Sequence, residues 1–188
     1  MNKRKPGQLR IISGKWRHRI ITMPKNSDIR PTPDRVRETV FNWLQQDILG
    51  SKCLDLCCGS GSLGLEALSR GASHVTFVDI DNSYLENINS HVKLFGDNKS
   101  VNFECVSLLD IFDSTIAEPY DIIFVDPPYD KNLLQPFLNL LQNSSFTTEA
   151  TLVYCEKGIN SKVEIPRNFR ILKNKKYGIV EALLISRK

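Results

Sequence analysis

The residues best placed by type and spacing to do chemistry lie around a glycine-rich turn. Cys53-Leu54-Asp55-Leu56-Cys57 reads as a strand that runs into Cys58-Gly59-Ser60-Gly61-Ser62-Leu63-Gly64 and then into a helix. Gly59, Gly61 and Gly64 satisfy a G-x-G-x-x-G pattern, and Asp79 closes the next apolar run twenty residues after Gly59. A strand, a glycine turn, a helix and a following acid suit a nucleoside-bearing ligand, and a nicotinamide oxidoreductase is one reading. Asp55 favours another. A carboxylate here would repel a pyrophosphate resting on the helix N-terminus, whereas it attracts a cation. S-adenosylmethionine offers an ammonium and a sulfonium and no phosphate. Asp55, Gly59, Ser60 and Gly61 are therefore expected at its methionine end, with Asp79 and Ile80 at the ribose.

A second constellation ends a later apolar run: Phe124-Val125-Asp126-Pro127-Pro128-Tyr129. Two prolines after an acid fix an extended turn that cannot continue a sheet, which leaves carbonyl groups outside the ladder. Asp126 and the Pro127 carbonyl are then two acceptors, and the Tyr129 ring is a flat surface beside them. Two acceptors and a ring match an exocyclic amino group on a nucleobase, held so that its nitrogen lone pair faces a methyl donor. Asp126, Pro127, Pro128 and Tyr129 are the expected catalytic residues.

These residues need a frame that brings two strand ends together. From Lys52 onward, apolar runs at 53–57, 74–80, 101–106, 121–125 and 151–156 alternate with helix candidates at 63–69, 83–95 and 133–141. That alternation predicts a Rossmann-like α/β fold, a mainly parallel seven-stranded sheet with helices on both faces. Runs at 169–173 and 180–186, joined through Lys175-Lys176-Tyr177-Gly178, predict a closing antiparallel hairpin. Residues 1–50 lie outside this pattern. They predict a hairpin of 9–13 and 19–22 turning at Gly14-Lys15, then a helix with Thr32 as N-cap and Pro33 first, burying Val36, Val40, Phe41, Leu44 and Ile48. The division is thus a basic extension, 1–50, and a donor-binding domain, 51–188.

The net charge of +4 conceals a polarity. Residues 1–37 hold eleven Lys/Arg against Asp28 and Asp34, a balance of +9, while the remainder carries −5. A basic arm on an acidic body suits a polyanion, because Lys/Arg displace counterions condensed on phosphates. Lys3, Arg4, Lys5, Arg10, Lys15, Arg17 and Arg19 are expected on phosphates, and Arg30, Arg35 and Arg37 near the cleft. Trp16 either stacks on a base or covers the domain. The length of 188 residues with 41% apolar side chains fills one core, and no run approaches the ~20 apolar residues of a membrane span. The basic start lacks an apolar stretch, so no secretory signal is expected. Five cysteines without a CxxC pair read as free thiols of a reducing cytosol, and adjacent Cys57 and Cys58 as packing rather than metal ligation. No metal is expected.

Taken together, these motifs resemble the class I methyltransferases that modify exocyclic nitrogens, with their DPPY-type turn. Arg30-Pro31-Thr32, Asp34-Arg35-Val36-Arg37-Glu38, Phe41-Asn42-Trp43-Leu44 and Gly64-Leu65-Glu66-Ala67-Leu68-Ser69-Arg70-Gly71-Ala72 narrow the resemblance to the bacterial 16S rRNA guanine-N2 methyltransferase family, along essentially the whole chain. The resemblance implies a cytoplasmic, monomeric enzyme that carries a methyl group from S-adenosylmethionine to N2 of a guanosine in 16S rRNA, on an assembled or partly assembled small subunit. It places Ser107 and the Leu108 backbone in the adenine pocket, where the family often has an acid or amide. Cys57-Cys58 replaces the family's usual Phe-Ala pair. The turn alone does not exclude an amino methyltransferase acting on adenine or cytosine of DNA or another RNA, nor a non-catalytic RNA-binding module of the same fold. The absence of ~100 further residues to read DNA bases argues against the DNA reading.

Overall fold

The structure, a computed structural model, describes residues 7–24, 32–97, 99–113, 119–128 and 131–188. The N-terminal segment forms a two-stranded antiparallel ribbon, β1 (Gln8–Arg10) and β2 (Ile20–Thr22), followed by α1 (Asp34–Trp43). The domain then runs β3 (Lys52–Leu56), α2 (Ser62–Ser69), β4 (His74–Asp79), α3 (Asn82–Leu94), β5 (Val101–Cys105), β6 (Ile122–Val125), α4 (Leu134–Leu141), β7 (Leu152–Gly158), β8 (Phe169–Tyr177) and β9 (Val180–Arg187). Its seven strands order as β5-β4-β3-β6-β7-β9-β8. The first five are parallel, and β9 returns antiparallel between β7 and β8, as the alternation and the closing hairpin predict.

Each sheet face has its own apolar layer. Phe77, Phe124, Tyr154 and Leu184 project to one side, against Val40 and Phe41 of α1, Leu65 and Leu68 of α2, and Ile88 and Val92 of α3. Leu54, Leu56, Ile123, Val153 and Leu183 project to the other, against Leu134, Phe137, Leu138 and Leu141 of α4. These strands are buried on both faces, which is why they read as nearly continuous apolar runs. The N-terminal segment shares the first layer: Phe41 lies 5.8 Å from the Phe124 ring, and Leu9, Ile11 and Ile21 are buried in the same cluster.

Two local expectations change. Pro33, not Thr32, occupies the cap position of α1, and no side chain caps that helix. Thr32 is buried and turns its hydroxyl to Asp126, a partner no local pattern reveals. The closing turn is Gly178-Ile179, with Gly178 at φ +58, because β8 runs on to Tyr177 through the lysines read as a connection. An exposed edge strand needs no apolar alternation, since its ladder to β9 holds the backbone.

Candidate active site

The chain reverses direction across the sheet between β3 and β6, and ligands of open α/β sheets bind at the carboxyl ends of strands at such a reversal. The glycine turn follows β3 and Asp126-Pro127-Pro128 follows β6, so the fold brings the two constellations together. Gly61 caps α2 with φ +68, and a Cβ there would meet Ile88 Cδ1 at 2.8 Å. A Cβ at Gly64 would lie 2.3 Å from Phe77 Cε1 and 2.9 Å from Asp55 Oδ2. Glycine at these positions allows α2 to start hard against the sheet.

Strand register puts the acids on one face. Asp55 pairs with Phe77 and Phe124, and Phe124 with Tyr154. Two residues further along each strand stand Asp79, Asp126 and Glu156, on the same side because the side-chain period is two. Asp55 is buried and accepts the Gly64 N–H at 2.8 Å. Burial, with Asp126 and Asp79 adding repulsion, pushes its pKa up to about 8 despite that bond. Asp79 accepts the Gly59 N–H at 2.9 Å through one oxygen and the Asp81 N–H at 3.0 Å through the other, tying the glycine turn to the end of β4. Asp126 is pushed up to about 7 by desolvation and by Glu156, opposed by the Thr32 hydroxyl at 3.2 Å. The Cys57 thiol, between these acids, is pushed up to about 12 by burial and then by Asp79, Asp126 and Asp55. Acids buried this close together give up their protons readily only when positive charge enters, so the site favours a cation.

Ser60 is buried in the turn, Ile80 is 72% exposed just past Asp79, and Leu108 is buried nearby in sequence to Ser107. The Ser107 hydroxyl donates to Asp110 Oδ2 at 2.6 Å, so these two residues form one local turn after β5. Pro127 is buried and Pro128 exposed; Tyr129 lies outside the described residues. Thr32, read from the sequence as a helix cap, and Glu156 join the site only through tertiary packing. Glu156, two residues before the end of β7, accepts the Tyr154 hydroxyl at 2.6 Å, and the Tyr-x-Glu spacing is the sequence signal for that pair.

The basic residues divide. Arg37 is fully buried, so it is not an RNA clamp: its guanidinium bonds the Arg10 carbonyl at 2.9 Å and Asp34 at 2.8 Å, with Glu66 at 3.7 Å. Glu66 in turn accepts the Ile12 and Ser13 N–H groups at 2.8 and 3.0 Å, which pins the ribbon to α2. Trp16 is 4% exposed with its ring 5.2 Å from Phe95, so it covers the domain and does not stack on a base. Arg10, Arg17, Arg19 and Arg35 are exposed. Lys15 pairs with Asp97 at 2.8 Å, and Arg19 bonds the Leu94 carbonyl and lies over Phe95. These contacts sit at the C-terminal end of α3, the end of the sheet away from Asp126. Lys3, Arg4, Lys5 and Arg30 lie outside the described residues.

A family model described as "Conserved hypothetical protein 95" matches residues 9–186. "Ribosomal RNA small subunit methyltransferase D" of Escherichia coli strain K12 is 38% identical over 184 residues, 96% of this chain and 91% of the relative. The protein of the same name from Haemophilus influenzae is 38% identical over 93% of this chain and 91% of its own. The solved structure of yhhF from Escherichia coli superposes with a TM-score of 0.87 at 33% identity, covering 97% of this chain and 99% of that one. With the glycine turn, the aligned acids and the Asp126 turn assembled on this sheet, the chain belongs to the conserved hypothetical protein 95 family, the RsmD family.

Proposed function

We propose that the chain transfers a methyl group from S-adenosylmethionine to the exocyclic N2 of a guanosine in 16S rRNA of the small ribosomal subunit. The observation that carries this reading is the meeting of Asp126 and Pro127 with the Asp55 glycine turn at one strand-end crevice. The names of the two curated relatives support small-subunit rRNA as the substrate class.

The donor set fits S-adenosylmethionine. Asp55, Gly59, Ser60 and Gly61 would hold its cationic methionine end, Asp79 and Ile80 the ribose, and Ser107 with the Leu108 backbone the adenine. Bound there, it supplies a methyl group on a positively charged sulfur. Asp126 and the Pro127 carbonyl, beyond the end of β6, accept the two hydrogens of the guanine amino group and turn its lone pair toward the methyl carbon. That nitrogen is a poor nucleophile, so orientation and electrostatics supply most of the acceleration. Asp126 would stabilise the positive charge growing on nitrogen as the methyl group leaves the sulfur, and the surplus amino proton would then pass to water. Its pKa near 7 without a cation falls when positive charge enters the site, which favours the ionised form the task needs. Thr32 holds one Asp126 oxygen and so fixes the carboxylate plane. Tyr129, outside the described residues, is the candidate for stacking on the base, a contact that would be worth about 1 to 3 kcal/mol. An unpaired guanosine is the cheaper target, since a stacked one must be flipped out.

Residues 1–50 serve as the RNA-binding extension and 51–188 as the donor-binding domain. One chain supplies the full acid row, consistent with a monomer, and the substrate places the protein in the cytoplasm. No helix among the described residues is long and apolar enough to cross a membrane. The test is tritium transfer from labelled donor to purified small ribosomal subunits and, in parallel, to DNA. Label in the subunits alone supports the assignment, and label in DNA alone overturns it.

A further inference from the structure

The −5 balance of residues 38–188 hides a local reversal. Residues 167–177 contain Arg167, Arg170, Lys173, Lys175 and Lys176 and no acid. Residues 169–177 of this stretch form β8, an outermost strand, whose residues 170–176 are all exposed. Lysines on an edge strand guard against strand pairing between copies, which alone explains scattered charge. The placement here is more specific. Register runs from Glu156 to Ala182 and from Ala182 to Lys175, and Leu184 likewise joins Tyr154 to Lys173. Lys173 and Lys175 therefore share the face that carries Asp126 and Glu156. Lys175 stands at the level of the catalytic acid, three strand spacings away, about 14 Å.

The same end of β8 meets the N-terminal helix. The Tyr177 hydroxyl donates to Thr39 Oγ1, fixing the ring against α1. Lys175 Nζ lies 5.3 Å from the centre of that ring and the Arg35 guanidinium 5.4 Å. Two like charges from elements 140 residues apart are thus held within roughly a Debye length of each other. Among the described residues no carboxylate pairs with Arg35, Lys173 or Lys175. The nearest acid on the neighbouring strand, Glu181, is engaged by Asn174 at 3.1 Å and Lys157 at 3.8 Å. Gathering unneutralised cations costs free energy unless a polyanion meets them. Lys15 and Arg19, by contrast, are tied down at the opposite end of the sheet.

We infer that the Lys173–Lys175–Tyr177 edge of β8, with Arg35 beside it, is a phosphate-binding surface that seats the rRNA strand flanking the target nucleotide. The inference rests on the rRNA reading above and adds the side from which the RNA reaches Asp126. Phosphate contacts of this kind set register without reading sequence.

The test uses the full chain and small ribosomal subunits from cells lacking it. K173Q/K175Q removes two cations from the edge. R167Q/K188Q removes two exposed cations from the opposite end of the same two strands and serves as the matched control. Binding is measured across salt concentrations, along with KM and kcat for the subunits and calorimetric binding of S-adenosylhomocysteine. K173Q/K175Q should bind subunits roughly tenfold more weakly near physiological salt, with the log–log salt slope reduced by about 1.4, two single-strand contacts. KM should rise to match, while S-adenosylhomocysteine binding and the control variant stay at wild-type values. A wild-type slope in K173Q/K175Q, or an equal loss in the control, overturns the inference alone. A wild-type protein that binds S-adenosylhomocysteine but not subunits overturns the rRNA reading as well.

Discussion

Replacing Glu156 by Gln should move the acid limb of the reaction in a direction that only its placement beside Asp126 predicts. Asp126 follows the end of β6 and Glu156 lies near the end of the adjacent parallel β7, both on one face, and Glu156 is buried. Taking the strand spacing of about 5 Å as the distance between charges, and an effective dielectric of about 20, their repulsion is ~3 kcal/mol, or ~2 pH units. Asp126 is partly exposed, and solvent reduces this to about one unit. The sign is fixed: Glu156 disfavours a second negative charge and raises the Asp126 pKa to about 7, so its removal lowers that pKa. Gln keeps an oxygen for the Tyr154 hydroxyl, which now bonds Oε1 at 2.6 Å. The assay is kcat/KM for the donor against pH with small subunits saturating, because this ratio reports groups of the enzyme before the donor binds. In wild type the rate should climb through about pH 7, and in E156Q through about pH 6, with similar plateaus. A limb that stays put or moves to higher pH would refute the reasoning, as would an equal loss at every pH.

Thr32→Val should shift the same limb the other way, by about half a unit, because a hydrogen bond to the ionised form is lost; pH profiles compared side by side check this. Asp55→Asn should raise the melting temperature of the ligand-free protein at pH 8 and not at pH 4. The folded chain keeps Asp55 protonated up to about 8 while the unfolded chain ionises near 4, so wild-type stability falls across that window. The same variant should weaken S-adenosylhomocysteine binding in calorimetry, since Asn cannot become the carboxylate that Asp55 becomes when the ligand's ammonium enters. Glu66→Gln should cost about 3 to 5 kcal/mol, read by urea denaturation, because buried Arg37 keeps Asp34 as its counter-charge but loses the buried Glu66 charge, Arg70 loses its partner, and the ribbon N–H groups lose a carboxylate anchor.

Much of this was legible in the sequence because local rules and the fold agree. The glycine turn, the strand ends at Asp55, Asp79 and Asp126, and the helix stop after α2 each follow from residue type and period. What escaped needed tertiary partners. Thr32 next to Pro33 reads as a helix cap, and only packing of α1 on β6 turns its hydroxyl to Asp126. Arg37 looked like a cleft cation, although its spacing to Phe41 and Leu44 puts it on the buried stripe of α1; the decisive fact is Glu66 waiting on another helix. Glu156 joins the acid row only once the β6–β7 register is known. The lysines of β8 read as a connection because an edge strand carries no apolar alternation.

The central claim is most directly tested by methylating small ribosomal subunits in vitro with wild type and with Asp126→Asn, digesting the rRNA to nucleosides and identifying the product by mass spectrometry. Wild type should yield N2-methylguanosine and D126N none, with S-adenosylhomocysteine binding largely retained in the variant. Methylation on another base or on the ribose, or full activity in D126N, would contradict it.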